Sequence, residues 1–111
     1  GDEETKTMKI PYNKLVRDRI PEILDAEGKE YSITKCNEDD ILAYAKKKLL
    51  EEAMEFVENP CAEEAADIIE ILKFICSRMG VYEIQVEAAA ISKYARKGGF
   101  GENYILEWVK E

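Results

Sequence analysis

The sequence predicts an all-α domain built as an antiparallel helix bundle. Two long stretches carry apolar residues at three-and-four spacing. The first is Leu42, Ala45, Leu49, Ala53 and Phe56, and the second runs through Ala65, Ile68, Ile69, Ile71, Leu72, Phe74, Ile75, Cys76 and Met79. That is the period of helices that bury one face. Helix punctuation falls between and after them, at Asn59-Pro60, Gly80 and Gly98-Gly99. Only one short stretch, Glu30 to Cys36, alternates weakly as a strand would.

The elements follow in order. Residues 1–8 begin polar and acidic and read as a flexible tail ahead of a single helical domain over residues 9–111. Asp18 reads as the N-cap of a short helix running to about Glu27, with Pro21 tolerated in its first turn and Gly28 at a left-handed stop. Tyr31, Ile33 and Thr34 then suggest a short strand or extended arm. A long helix is expected from about Asp39 to Glu58. Asn59 as N-cap and Pro60 at the first helical position start the next one, to about Met79. A last helix covers about Tyr82 to Lys97, and Phe100 to Val109 forms a tail whose Tyr104, Ile105, Leu106 and Trp108 are available for packing. The Pro60–Met79 helix is apolar over roughly 220° of its circumference, which suits a helix covered on nearly all sides. Few other elements are available to cover it, so a homodimer or higher homo-oligomer is expected.

Composition narrows the function classes. The chain has 111 residues, 46% apolar and 36% charged, and at this size it needs no disulfide or metal staple to fold. Sixteen Lys and Arg against 24 Asp and Glu give a net charge of −8. A surface that acidic repels nucleic-acid backbones and anionic membranes, so neither is expected as a partner. Apolar runs fall far short of the roughly 18 residues of a membrane span. The amino terminus lacks the basic start and apolar stretch of a signal peptide. Cys36, Cys61 and Cys76 form no C-x-x-C and leave one thiol over in any pairing, which suits reduced thiols in a cytoplasmic protein, with Cys76 in the core. There is no histidine, which excludes Ser-His and Cys-His nucleophile pairs, imidazole-dependent zinc sites and the Glu-x-x-His di-iron bundle.

The informative residues are acids on or near apolar faces. At 100° per residue, Glu52 falls about 60° from Leu49, Glu55 about 120° and Glu51 about 160°. Glu52 therefore borders the apolar stripe and Glu55 flanks it. On the next helix Glu64 and Asp67, one turn apart, fall in the same sector as Ile71, Phe74 and Ile75. Buried carboxylates cost several kcal/mol each unless they are paired or bind metal. The short connection makes the helices antiparallel neighbours, with their acids facing across the seam. An all-oxygen set of this kind suits Mg²⁺ or Mn²⁺ and suits zinc or copper poorly. The plainer reading is a solvated acidic surface in which Lys48, four residues before Glu52, is an ion-pair partner.

Glu51-Glu52-Ala53-Met54-Glu55 followed by Glu64-Ala65-Ala66-Asp67 resembles the Glu-Glu-x-x-Glu … Glu-x-x-Asp signature of the MazG-like all-α nucleoside triphosphate pyrophosphohydrolases. Lys14-Leu15-Val16-Arg17-Asp18-Arg19-Ile20-Pro21-Glu22-Ile23 resembles the opening of a phosphoribosyl-ATP pyrophosphohydrolase-like subgroup, and Arg96-Lys97-Gly98-Gly99-Phe100 resembles its ending, with Lys97 where that subgroup has Arg. The resemblance implies a MazG-like bundle and Mg²⁺-dependent hydrolysis between the α and β phosphates, giving a nucleoside monophosphate and pyrophosphate. It implies metal ligation by Glu52, Glu55, Glu64 and Asp67, and catalytic roles for Glu51 and Glu52, with Glu51 joining the shell or orienting and deprotonating the attacking water. Lys14, Arg17, Arg96 and Lys97 are the candidates for substrate phosphate. Only eight residues separate Glu55 from Glu64, and Ile68-Ile69-Glu70-Ile71-Leu72 stands where true phosphoribosyl-ATP enzymes carry a histidine-containing stretch, so histidine biosynthesis is not expected. The nucleoside triphosphate that the resemblance implies would add about four negative charges to such a site, so divalent cations, more than one, are expected to accompany it. The alternative is a non-catalytic helical module that dimerises through Phe56, Phe74 and the carboxy-terminal aromatics and keeps a residual cation site.

Overall fold

The computed structural model describes residues 8–110. Apart from Met8, which is exposed, the expected tail lies outside the described residues. The order is α1 (Ile20–Ala26), α2 (Ile41–Glu58), α3 (Ala62–Arg78) and α4 (Glu83–Lys97). Among the described residues there is no strand. Residues 30–36 run without regular structure, because a weakly alternating segment becomes a strand only beside a partner strand.

The helix starts differ from the sequence reading. Asp18 is not an N-cap; α1 begins after Arg19, and no side chain caps it. Pro21 sits in its first turn, where the missing N–H is harmless. The turn ahead of α2 is closed by Asn37, whose Oδ1 accepts from the Asp40 N–H at 2.9 Å, so the helix starts at Ile41 rather than Asp39. Pro60 does not open α3. The Ala65 N–H donates to the Cys61 carbonyl at 3.0 Å, which makes Cys61 the residue at the helix start and leaves Pro60 outside it. The Lys29 N–H reaches back to the Leu24 carbonyl at 3.0 Å across Gly28, which has φ +69°. Nothing lies within 4 Å of a Cβ added there. Gly28→Ala therefore meets only the backbone penalty of the left-handed region and is expected to lower stability by about 1 kcal/mol in a denaturant melt. An unchanged midpoint would contradict this account of the stop.

The chain divides into two compact units, Gly1–Ile75 and Cys76–Glu111. In the first, α2 and α3 form a hairpin through a three-residue connection, residues 59–61. Glu52 lies six residues before the end of α2, and its carboxylate reaches those of Glu64 and Asp67 in the first turns of α3, which requires the chain to reverse. Among the described residues Ile41, Ala45 and Ile71 are the buried apolar ones, and Leu42, Leu49, Phe56, Ala65, Ile68 and Phe74 are half-buried. Leu15, Val16, Ile20 and Leu24 are half-buried as well, and so anchor the amino-terminal segment. In the second unit α4 ends at Gly98, whose φ of +76° permits the stop. Every described residue from Ser77 to Lys110 is exposed. Cys76 is half-buried, and all three thiols are free.

Candidate functional site

Glu52 is the buried charged residue of the described chain, 6% exposed. The helical period places it there: it borders the stripe of Ala45 and Leu49 and turns inward with them. Lys48, one turn earlier, donates to its Oε1 at 3.2 Å and lies 4.0 Å from Glu51 Oε1. Oε2 of Glu52 is buried with no hydrogen-bond partner, and so is Oε2 of Glu64. Orphaned buried carboxylate oxygens are costly, a cost that a bound cation or a proton relieves.

The acids fall into two overlapping groups. Carboxylate oxygens of Glu51, Glu52 and Glu55 lie within 4.8 Å of one another, and so do those of Glu52, Glu64 and Asp67. Glu52 belongs to both. Oxygens bonded to one Mg²⁺ at about 2.1 Å lie at most about 4.2 Å apart, so each group needs only a small contraction to share an ion. Glu64 sits in the first turn of α3, where the helix dipole favours negative charge. Glu51, Glu64 and Asp67 are half-buried, and Glu55 is exposed.

Cations from the amino-terminal segment meet these acids across long stretches of sequence. The Lys14 ammonium donates to Glu51 Oε1 at 2.8 Å, and the Arg17 guanidinium donates to Asp67 Oδ1 at 2.6 Å. Asn13, at φ +46°, turns the chain immediately before Lys14, and the Lys14 Nζ also lies 5.5 Å from the centre of the Tyr12 ring. Five carboxylates thus face three cations, Lys14, Arg17 and Lys48, an excess of two negative charges. Arg96 and Lys97 are not among these groups. They end α4 in the second unit, where Lys97 lines a hollow of about 420 Å³ with Tyr94, Gly98, Gly99, Phe100 and Tyr104. Sequence reasoning treated Lys48 only as a surface ion-pair partner. Its spacing of three and four residues from Glu51 and Glu52 was the signal that it belongs to the site.

Protonation follows from these contacts. The Lys14 hydrogen bond holds the Glu51 carboxyl below its ordinary value, and the same bond raises the Lys14 ammonium. Burial pushes the Glu52 carboxyl up; Lys48 works against that shift and Glu55 adds to it. An acid raised in the folded chain contributes most stability below its ordinary value and loses that contribution as pH rises through the raised one. In EDTA, Glu52→Gln is therefore expected to stabilise the chain by about 1 kcal/mol at about pH 7, because it removes a buried charge of nearly the same volume. The gain should vanish at about pH 4, below the ordinary glutamate value of roughly 4.3. Thermal melts at the two pH values check this, and a Glu52→Gln chain less stable than wild type at neutral pH would contradict it.

Comparison of the chain with protein-family models, with curated proteins and with solved structures returns no match.

Proposed function

We propose that the chain is a Mg²⁺-dependent nucleotide pyrophosphohydrolase of MazG-like architecture, cleaving a nucleoside triphosphate between the α and β phosphates to a monophosphate and pyrophosphate. The observation that carries this reading is Glu52, buried, with an unpartnered oxygen and shared by two carboxylate groups on facing helices. Glu52, Glu55, Glu64 and Asp67 hold the divalent cations, Mg²⁺ or Mn²⁺, and the shared Glu52 suits a site with more than one. When bound, such ions polarise the phosphoryl group and make hydroxide available from water near neutral pH. Glu51, beside Glu52 and Glu55, accepts a hydrogen bond from the attacking water and orients it. Lys14 and Arg17 lie beside the acids and meet phosphate charge there, and Arg96 and Lys97 are the further candidates from α4. The test is pyrophosphate release from a panel of ribo- and deoxyribonucleoside triphosphates, with and without Mg²⁺. Release that requires Mg²⁺ supports the reading, and a silent panel favours the alternative of a non-catalytic helical module.

That alternative and a homodimeric enzyme share one supporting observation. Ile84, Ala88, Ile91 and Ala95 fall within about 60° of one another on α4. Ile84 is 74% and Ile91 73% exposed. Tyr94, Tyr104, Leu106 and Trp108 are exposed too, as are Ile69 and Leu72 on α3. Exposed apolar surface of this kind on each unit marks an interface, and a symmetric pair of chains is the economical way to cover it. Sedimentation equilibrium at micromolar concentration is expected to give twice the 12.7 kDa chain mass. An active 12.7 kDa species would contradict the dimer.

A further inference from the structure

Lys14 and Arg17 are held by acids that belong to the proposed cation site or adjoin it. Lys14 donates to Glu51, which shares its carboxylate group with Glu52 and Glu55; Arg17 donates to Asp67, which shares its group with Glu52 and Glu64. One cation of the segment therefore stands at each group. From this we infer that Lys14 and Arg17 are tethered counter-ions that exchange with divalent metal: metal binding releases both side chains from the carboxylates and leaves them free to take the phosphate oxygens of the substrate. The inference rests on the metal-dependent reading above and adds an order of events to it.

The charges give the driving force. The seam carries an excess of two negative charges with the three cations in place. One divalent ion cancels that excess. A second, at the other group, turns the seam positive, and carboxylates that have gained metal no longer attract an ammonium or a guanidinium as strongly. The pairs to be broken are weak. Both are partly exposed, 33% and 31% for Lys14 and Glu51 and 55% and 37% for Arg17 and Asp67, and ion pairs in contact with water contribute little.

Release needs no movement of the backbone. Leu15 and Val16, between and beside the two cations, are half-buried and hold the segment, as do Ile20 and Leu24. The long stems of Lys and Arg swing while the chain stays anchored, so the freed charges remain close to where a polyphosphate must lie. A polyphosphate arriving with its metal then replaces the carboxylates as their partner, and a guanidinium is well suited to phosphate oxygens.

Side-chain labelling reads this directly. The amine of Lys14 is acetylated by a limiting pulse of acetic anhydride and the guanidinium of Arg17 is modified by phenylglyoxal, with Lys29 and Arg19 as comparison residues in the same peptides. Calorimetry on the same protein measures Mg²⁺ binding separately. Relative to EDTA with matched ionic strength, Mg²⁺ is expected to raise the labelling of Lys14 and Arg17 several-fold over their comparisons. Adding inorganic pyrophosphate to the Mg²⁺ sample should bring both back down. In Glu51→Gln, Lys14 should already label quickly in EDTA and respond little to Mg²⁺; the half-exposed position keeps that variant folded, and circular dichroism confirms it. Mg²⁺ binding by calorimetry with unchanged or reduced labelling of Lys14 and Arg17 overturns the exchange and leaves the metal site standing. No Mg²⁺ binding by calorimetry overturns both.

Discussion

Millimolar Mg²⁺ is expected to raise the melting temperature by about 10 °C over a sample in EDTA with monovalent salt at the same ionic strength. A ligand that binds only the folded chain stabilises it by about 2.7 kcal/mol at a hundred times its Kd, and a domain of this size shifts by about 4 °C per kcal/mol. The physical source is specific. Two buried carboxylate oxygens, on Glu52 and Glu64, have no partner, and five acids outnumber their cations by two. Monovalent salt screens that repulsion but supplies no partner for the orphaned oxygens. Mn²⁺ should act in the same direction, because it accepts the same oxygen donors. Coincident melts in EDTA and in Mg²⁺ would remove the site from the account.

The second large effect is on turnover. Glu52→Gln and Asp67→Asn are each expected to lower pyrophosphate release by at least about a hundred-fold, since even residues that only support a metal ligand cost 10- to 100-fold when changed. Glu52 should be the more severe, as it is the one acid common to both carboxylate groups. Both changes keep volume nearly constant, so helical circular dichroism should be unchanged. Loss of activity then reports on the site, not on unfolding. A Glu52→Gln chain that releases pyrophosphate at the wild-type rate would sink the role given to that residue.

How far the sequence reached is clearest residue by residue. The helical period put Glu52 at the edge of the Leu49 stripe and Glu64 in an apolar arc, and both came out with a buried oxygen lacking a partner. Periodicity is a local property, written wherever a helix buries one face. The Lys14–Glu51 and Arg17–Asp67 pairs span 37 and 50 residues, and nothing local encodes which acid each cation meets. Helix ends at Gly28 and Gly98 were legible because glycine alone enters the left-handed region freely. Helix starts were less so. Asp18 and Pro60 are acceptable at a start, yet the first turns of α1 and α3 form one or two residues later, since several positions compete to begin a helix and tertiary packing decides among them. The Tyr31–Thr34 stretch misled for the same reason in reverse: strand character is realised only by pairing, and no partner strand exists among the described residues.

The central claim is that the carboxylate seam uses divalent metal to cleave a nucleotide at the α–β linkage. Phosphorus NMR of a nucleoside triphosphate incubated with the chain tests it most directly, because it identifies which bond breaks. With Mg²⁺ the account predicts nucleoside monophosphate and pyrophosphate appearing together in equal amounts, no diphosphate or orthophosphate on the way, and no product at all in EDTA or with Glu52→Gln. Orthophosphate and diphosphate as the first products, or identical turnover in EDTA, would contradict it.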